Sequence, residues 1–380
     1  MRRWWRVALV ALGLCCLSLP VSAQQTASGE ELYRQQLQAS GAEDLTGALP
    51  RNVQDLLDQL ELDTFDPDSY TGLSFQQVTG LLMELTAGQA GGPLQVMGML
   101  IGVVLMAAVF SGMESSALSP ALRQTYHSAA VLGAGSMLLV PLFGLLETVW
   151  QAVERVTVFL AAYVPVYAAL LATGGRGVSA VSYQATLMGA SQLLTWLIRG
   201  AVFPALIVSL ALGCTGSVAD GFCLDRFGQT LHKGILWVLG LFSTVFSFLL
   251  SFQQMAASAG DSLSGRMVRF SLTSFVPVVG GLLGEAYSTV AGCAGLLRTT
   301  VGCFGLLSVA LVVVPPLLSC ICWSIGLRVA ADTAALFRLA PLERLCQAAA
   351  GAVRVLIAVL AVLALLMVIS TTVITAFSGR

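Results

Sequence analysis

Charge is scarce in this chain: Asp, Glu, Lys and Arg together make 10% of its 380 residues, against 57% hydrophobic residues. Soluble domains carry about a quarter charged residues, so this shortage, with a mean hydropathy of +0.85, excludes a soluble globular protein. Histidine is scarcer still. His127 and His232 are the only two, and neither stands in an H-E-x-x-H frame. The nine cysteines include no zinc-type spacing. Cys15 and Cys16 fall in a leader, and Cys320 and Cys322 share an apolar run where small packing residues suffice. Metal chemistry has no foothold. The sequence also lacks a serine nucleophile elbow, paired catalytic carboxylates and a phosphate loop. Thr173-Gly174-Gly175-Arg176-Gly177 has no Gly-Lys-Ser/Thr ending and reads as a loop. No enzyme activity, no cofactor and no nucleic-acid partner are expected.

The few charges are partitioned. Eleven of the twenty acids lie between Gln24 and Ala90, joined there only by Arg34 and Arg51. Before them, Arg2, Arg3 and Arg6 precede an apolar core from Val7 to Leu19 and then Pro20-Val21-Ser22-Ala23. This is the layout of a signal peptide over residues 1–23, cleaved after Ala23, with a retained signal anchor as the alternative. The acidic unit, 24–90, is patterned as short amphipathic helices. Val53, Leu56, Leu57 and Leu60 share one face, and Phe75, Val78, Leu81, Leu82 and Leu85 repeat it after a cap at Ser74. A unit this small makes a marginal core alone, so it either packs on the membrane body or a partner, or forms a small solvated helical cap outside the cytoplasm.

From Pro93 onward the pattern is all-α and polytopic. Apolar windows long enough for a hydrocarbon core of about 30 Å fall near 94–112, 128–150, 157–173, 185–213, 234–255, 270–291, 301–326 and 350–377. The count is eight transmembrane helices, or six if the short window at 157–173 and the weak one at 270–291 do not cross. Those two share a motif: Tyr163-Val164-Pro165-Val166 with Leu170-Leu171 returns 112 residues later as Phe275-Val276-Pro277-Val278 with Leu282-Leu283. At the same offset Pro204 falls on Pro316 and Leu206 on Leu318. The expectation is two leading helices in 91–150, then a first repeat, 151–262, and a second, 263–380. Three crossings per unit would make an inverted 3+3 repeat. With the chain starting outside, basic residues put Arg123, Arg176, Arg266, Arg269, Arg328, Arg338 and Arg344 in cytoplasmic loops and Arg155, Arg226, Lys233 and Arg298 in outer ones.

Four residues stand out. Pro165 and Pro277 should kink or interrupt their helices, and paired interruptions mark either a pore or binding cavity or a bend made for packing. Arg199 lies near the middle of the longest apolar run. There it needs a partner, Glu285 first and Glu147 second, unless the side chain snorkels to an interface. The glycines from Gly280 to Gly305 supply small-residue faces for close helix contact or a homo-oligomer.

The order and spacing of Val164-Pro165-Val166, Leu170-Leu171, Thr173-Gly174-Gly175, and Arg269-Phe270 leading through Phe275-Val276-Pro277-Val278-Val279-Gly280 to Val301-Gly302 resemble the stage III sporulation protein AE family. The resemblance implies a component of a secretion-like channel complex in the mother-cell membrane around the forespore, needed for late forespore development. It also implies partners from the same operon: an ATPase, ring-forming proteins and small membrane subunits. It transfers no catalytic residue. A self-sufficient secondary transporter for a small solute is the alternative.

Overall fold

The computed structural model describes residues 27–50, 95–109, 120–218, 224–275 and 280–378, with 53–55, 57, 65 and 80 between them, and these residues are helical almost throughout. The expected leader, Pro277 and most of the acidic unit beyond residue 50 lie outside the described residues. The elements are α1 (Ala27–Ser40), a 3-10 helix (Ala42–Ala48), α2 (Gln95–Val109), α3 (Pro120–Thr173), α4 (Gly177–Leu197), a π turn (Ile198–Val202), α5 (Phe203–Val218), α6 (Leu224–Phe275), α7 (Gly280–Leu336) and α8 (Ala340–Ser378). No strand occurs among the described residues.

The helices are fewer and longer than the eight windows. Five are long and apolar enough to cross a membrane, with α2 a shorter apolar helix beside them. The windows 128–150 and 157–173 are halves of one 54-residue helix, α3. Between them Glu147, Gln151, Glu154 and Arg155 interrupt the apolar run, but all are good helix formers and nothing there breaks the backbone. Pro165 likewise lies inside α3, which continues past it to Thr173. The window 270–291 is divided between the end of α6 and the start of α7.

Real breaks come from other chemistry. After α3 and after α7 the chain turns in a Schellman motif with one left-handed residue, Gly175 at φ 78° and Arg338 at φ 56°. In the first, Gly175 N–H donates to the Ala172 carbonyl and Arg176 N–H to Leu171. In the second, Arg338 N–H donates to Ala335 and Leu339 N–H to Ala334. Between α4 and α5 the helix widens instead. Pro204 has no N–H to offer the carbonyl one turn back, and just before it Ile198–Val202 form the π turn, with Phe203 N–H donating to Ile198.

Named contacts fix the direction of every helix. Tyr167 packs on Tyr183, and the Thr157 and Thr195 hydroxyls lie 2.9 Å apart, so α4 and α5 run back along α3. Ser209 meets His232 while Asp261 meets Val178, so α6 runs antiparallel to them. Gly174 faces Ala294, and Gly305 faces both Tyr163 and Met367, which sets α7 against α3 and against α8. The bundle is therefore up-and-down, with one end at Gly174 and the other at Arg338. Arg344 Nη1 donates to the Gly216 carbonyl at 3.4 Å, and Gly213 abuts Ala348, so the last turn of α5 and the turn 337–339 share the Arg338 end. The inverted layout, which puts the loops after these helices on opposite sides, is not confirmed: it needs three crossings between them, and among the described residues α6 and α7 separate them. The loop assignment changes too, because Arg176 and Arg298 belong to the same end.

Most buried apolar side chains form one core along the whole bundle, and it includes Leu37, Ala42, Leu45, Leu49, Val53 and Leu57 of the N-terminal segment. That segment is packed against the bundle by its apolar face. A smaller cluster joins α2 to the ends of α3, α7 and α8.

Candidate functional site

The described members of the expected quartet do not converge. Pro165 is half-buried in α3, between the fully buried Tyr163 and Tyr167. Arg199 is exposed on the π turn. Its guanidinium carbon lies 5.9 Å from the centre of the Trp150 ring, a cation–π contact in place of the expected carboxylate. Among the described residues Arg199 makes no ion pair. Glu147 is exposed one turn before Trp150 and accepts from Gln151 Nε2 at 3.2 Å. Glu285 belongs to the first turns of α7, beyond Arg298 and so beyond the Gly174 end, while Arg199 sits about a layer's depth away.

At the centre of the bundle, running through Tyr163 of the first Val-Pro-Val motif, is a column of aromatic rings that the sequence reading did not single out. Phe65 of the N-terminal segment packs on Phe304 (centroids 5.7 Å apart), Phe304 on Phe159 (6.3 Å), Phe159 on Tyr163 (5.6 Å), Tyr163 on Tyr167 (5.4 Å) and Tyr167 on Tyr183 (5.3 Å). Tyr163 and Tyr167 are four residues apart on α3, the spacing that stacks side chains on one helix face. Glycine makes room for them: the Tyr167 hydroxyl lies against Gly302, and a Cβ at Gly305 would collide with the Tyr163 ring and Met367. The Tyr163 and Tyr167 hydroxyls are buried without a hydrogen-bond partner, and that of Tyr183 faces Ser370 without reaching bonding geometry. Buried unpaired polar groups are uncommon, and among the described residues these three lie side by side along the column.

Two further polar contacts bind helices together. Asp261, buried on α6, accepts from the Val178 and Ser179 amides at 2.9 and 3.0 Å, satisfying donors at the start of α4 that Arg176 does not cap. His232 is buried between α5, α6 and α8, its Nε2 2.8 Å from Ser209 Oγ. Because the Ser209 hydroxyl already donates to the Leu206 carbonyl, the proton in this contact belongs to His232 Nε2. A His/Cys/Asp/Glu group able to hold a metal ion is absent among the described residues.

The charges themselves draw a layer. Residues 156–175, 177–198, 234–260, 299–327 and 355–379 contain no Asp, Glu, Lys or Arg, and one such stretch lies in each strand of the bundle. The contacts above set them side by side. At the Gly174 end they stop together at Arg176, Asp261 and Arg298. Toward the other end α3 and α4 stop at Arg155 and Arg199, and the other three run further, to Lys233, Arg328 and Arg354. The depth common to all is that of the shortest stretch, about 30 Å at 1.5 Å per residue.

The model of the Stage III sporulation protein AE family matches residues 66–378, most of the chain. The chain belongs to that family. A similar protein is the Stage III sporulation protein AE of Bacillus subtilis (strain 168), 28% identical over 155 residues, or 41% of this chain and 39% of the relative. The matched stretch thus spans about two-fifths of that relative's length. No solved structure matches. The family assigns the chain to sporulation, and its five long apolar helices suit a membrane protein. The family description names no reaction.

Proposed function

We propose that this chain is a membrane subunit of the complex linking mother cell and forespore, its bundle contributing to a conduit needed for late forespore development. It resides in the mother-cell membrane around the forespore, with the N-terminal segment entering from the extracytoplasmic side and packing along the bundle. It works with an ATPase, ring-forming proteins and small membrane subunits. Family membership supports the sporulation role. The charge-free layer favours a conduit over a self-sufficient carrier. Ion-coupled carriers keep acidic or basic groups within their spans, and none of the five stretches contains Asp, Glu, Lys, Arg or His; Arg199 stands at the layer's edge. An aromatic column at the centre, rather than an acid–base pair, also suits a structural wall.

Purification from sporulating cells in mild detergent tests the proposal, with liposome reconstitution of the chain alone beside it. The expected result is recovery of the ATPase and ring-forming proteins with the chain, and no solute uptake by the chain alone. Recovery of a solitary protein that moves a small solute would replace the conduit with the carrier.

A further inference from the structure

The two flanks of the charge-free layer present incompatible surfaces. On α6 the exposed side chains along its charge-free stretch include Leu236, Trp237, Leu241, Val245, Phe248 and Phe252, a face about 24 Å long at helical rise. The one exposed hydroxyl among them, Thr244, donates to its own helix at the Gly240 carbonyl. Nothing on this face requires water.

The flank made by α3 and α7 is covered by the N-terminal segment. Gln36 Nε2 donates to the Val290 carbonyl at 3.3 Å, just outside the layer at the Gly174 end. Ala48, Leu49 and Pro50 reach Gln151, Glu154 and Arg155 around a cleft of about 370 Å³, at the layer's other edge. Residues 37–47 therefore lie at the depth of the layer. Their buried members, Leu37, Ala42 and Leu45, enter the core, while Gln38, Glu43 and Asp44 point away from the bundle and are exposed. Carboxylates and amides at that depth cannot face hydrocarbon.

We infer that the α3–α7 flank, with Gln38, Glu43 and Asp44 on its surface, is a water-facing wall inside the membrane layer, and that α6 is the lipid-facing wall. The geometry stands on charge placement alone; only the identification of this water with a transport path rests on the conduit reading. It commits the chain to an arrangement, such as a closed set of copies or a lined cleft, in which one flank of each chain is wet within the bilayer.

Single cysteines test this in native membranes, in a chain whose own cysteines are replaced and which still supports sporulation. A charged, membrane-impermeant maleimide should modify E43C and D44C at least tenfold faster than V245C and F248C. In a separate variant, a short bifunctional thiol cross-linker should join Q36C to V290C. Failure of that link to form, or equal labelling of V245C and E43C, would each overturn the proposal. Co-purification of partners is read separately, so a dry flank with an intact complex removes the wall and leaves complex membership standing.

Discussion

Gly305 shows how much a single residue decides here. Its missing side chain lets Tyr163 and Met367 close on α7, joining three helices at the aromatic column. Gly305→Ala forces the ring away and should cost about 1–3 kcal/mol, the usual range for overpacking, read as a lowered thermal midpoint in detergent. Gly292, on the same helix with nothing within 4 Å, is the control. Its alanine variant should stay within about 0.5 kcal/mol of the parent, and equal effects at the two positions would remove the packing argument. The sequence announces a glycine stripe but not which glycines are used, because spacing along one helix carries no information about the neighbour. Arg199 makes the same point. An arginine in an apolar run implies either a partner or an interface, and only the levels of α3 and α4 reveal that Trp150 is beside it at the edge of the charge-free layer.

Among the elements, the α3–α4 turn was legible and its fastening was not. Glycine at 174 and 175 announces a reversal, and the left-handed φ of Gly175 explains why that residue is there. The cap on the next helix comes from Asp261, 82 residues beyond Ser179, and no local pattern reports a contact that distant. Asp261→Ala would leave two amides of the first turn of α4 buried without an acceptor, at a cost of about 1–2 kcal/mol. Amide hydrogen exchange over 177–181 should quicken, and Asp261→Asn, which retains one acceptor oxygen, should fall between the two. Unchanged exchange in the alanine variant would show that the cap is idle. The upper count of eight windows fails for a related reason, whereas six corresponds to the five long helices together with the shorter α2. Apolar windows measure how much of a helix can lie in lipid, not where it ends, and polar residues 147–155 end an apolar window without ending α3.

For the whole molecule, the all-helical membrane class followed from composition and the family resemblance from motif order, but the direction of the repeat did not follow from either. The relation at an offset of 112 residues sets α7 against α4 and α5, and α8 against α6, and in the bundle each pair runs the same way. The segment carrying Pro165 continues as helix, whereas its counterpart begins at Phe275, where α6 ends, so the first member of each supposed triplet is built differently. An even number of crossings between related elements keeps their orientation, whatever the sequence likeness. The contact of Arg344 with Gly216 makes this testable in membranes. Cysteines placed as T215C and F337C should react with an impermeant label from the same face, and R176C from the opposite one. If T215C and F337C reacted from opposite faces, α6 and α7 would no longer each cross once, and an inverted bundle would have to replace the up-and-down one on which the charge-free layer depends.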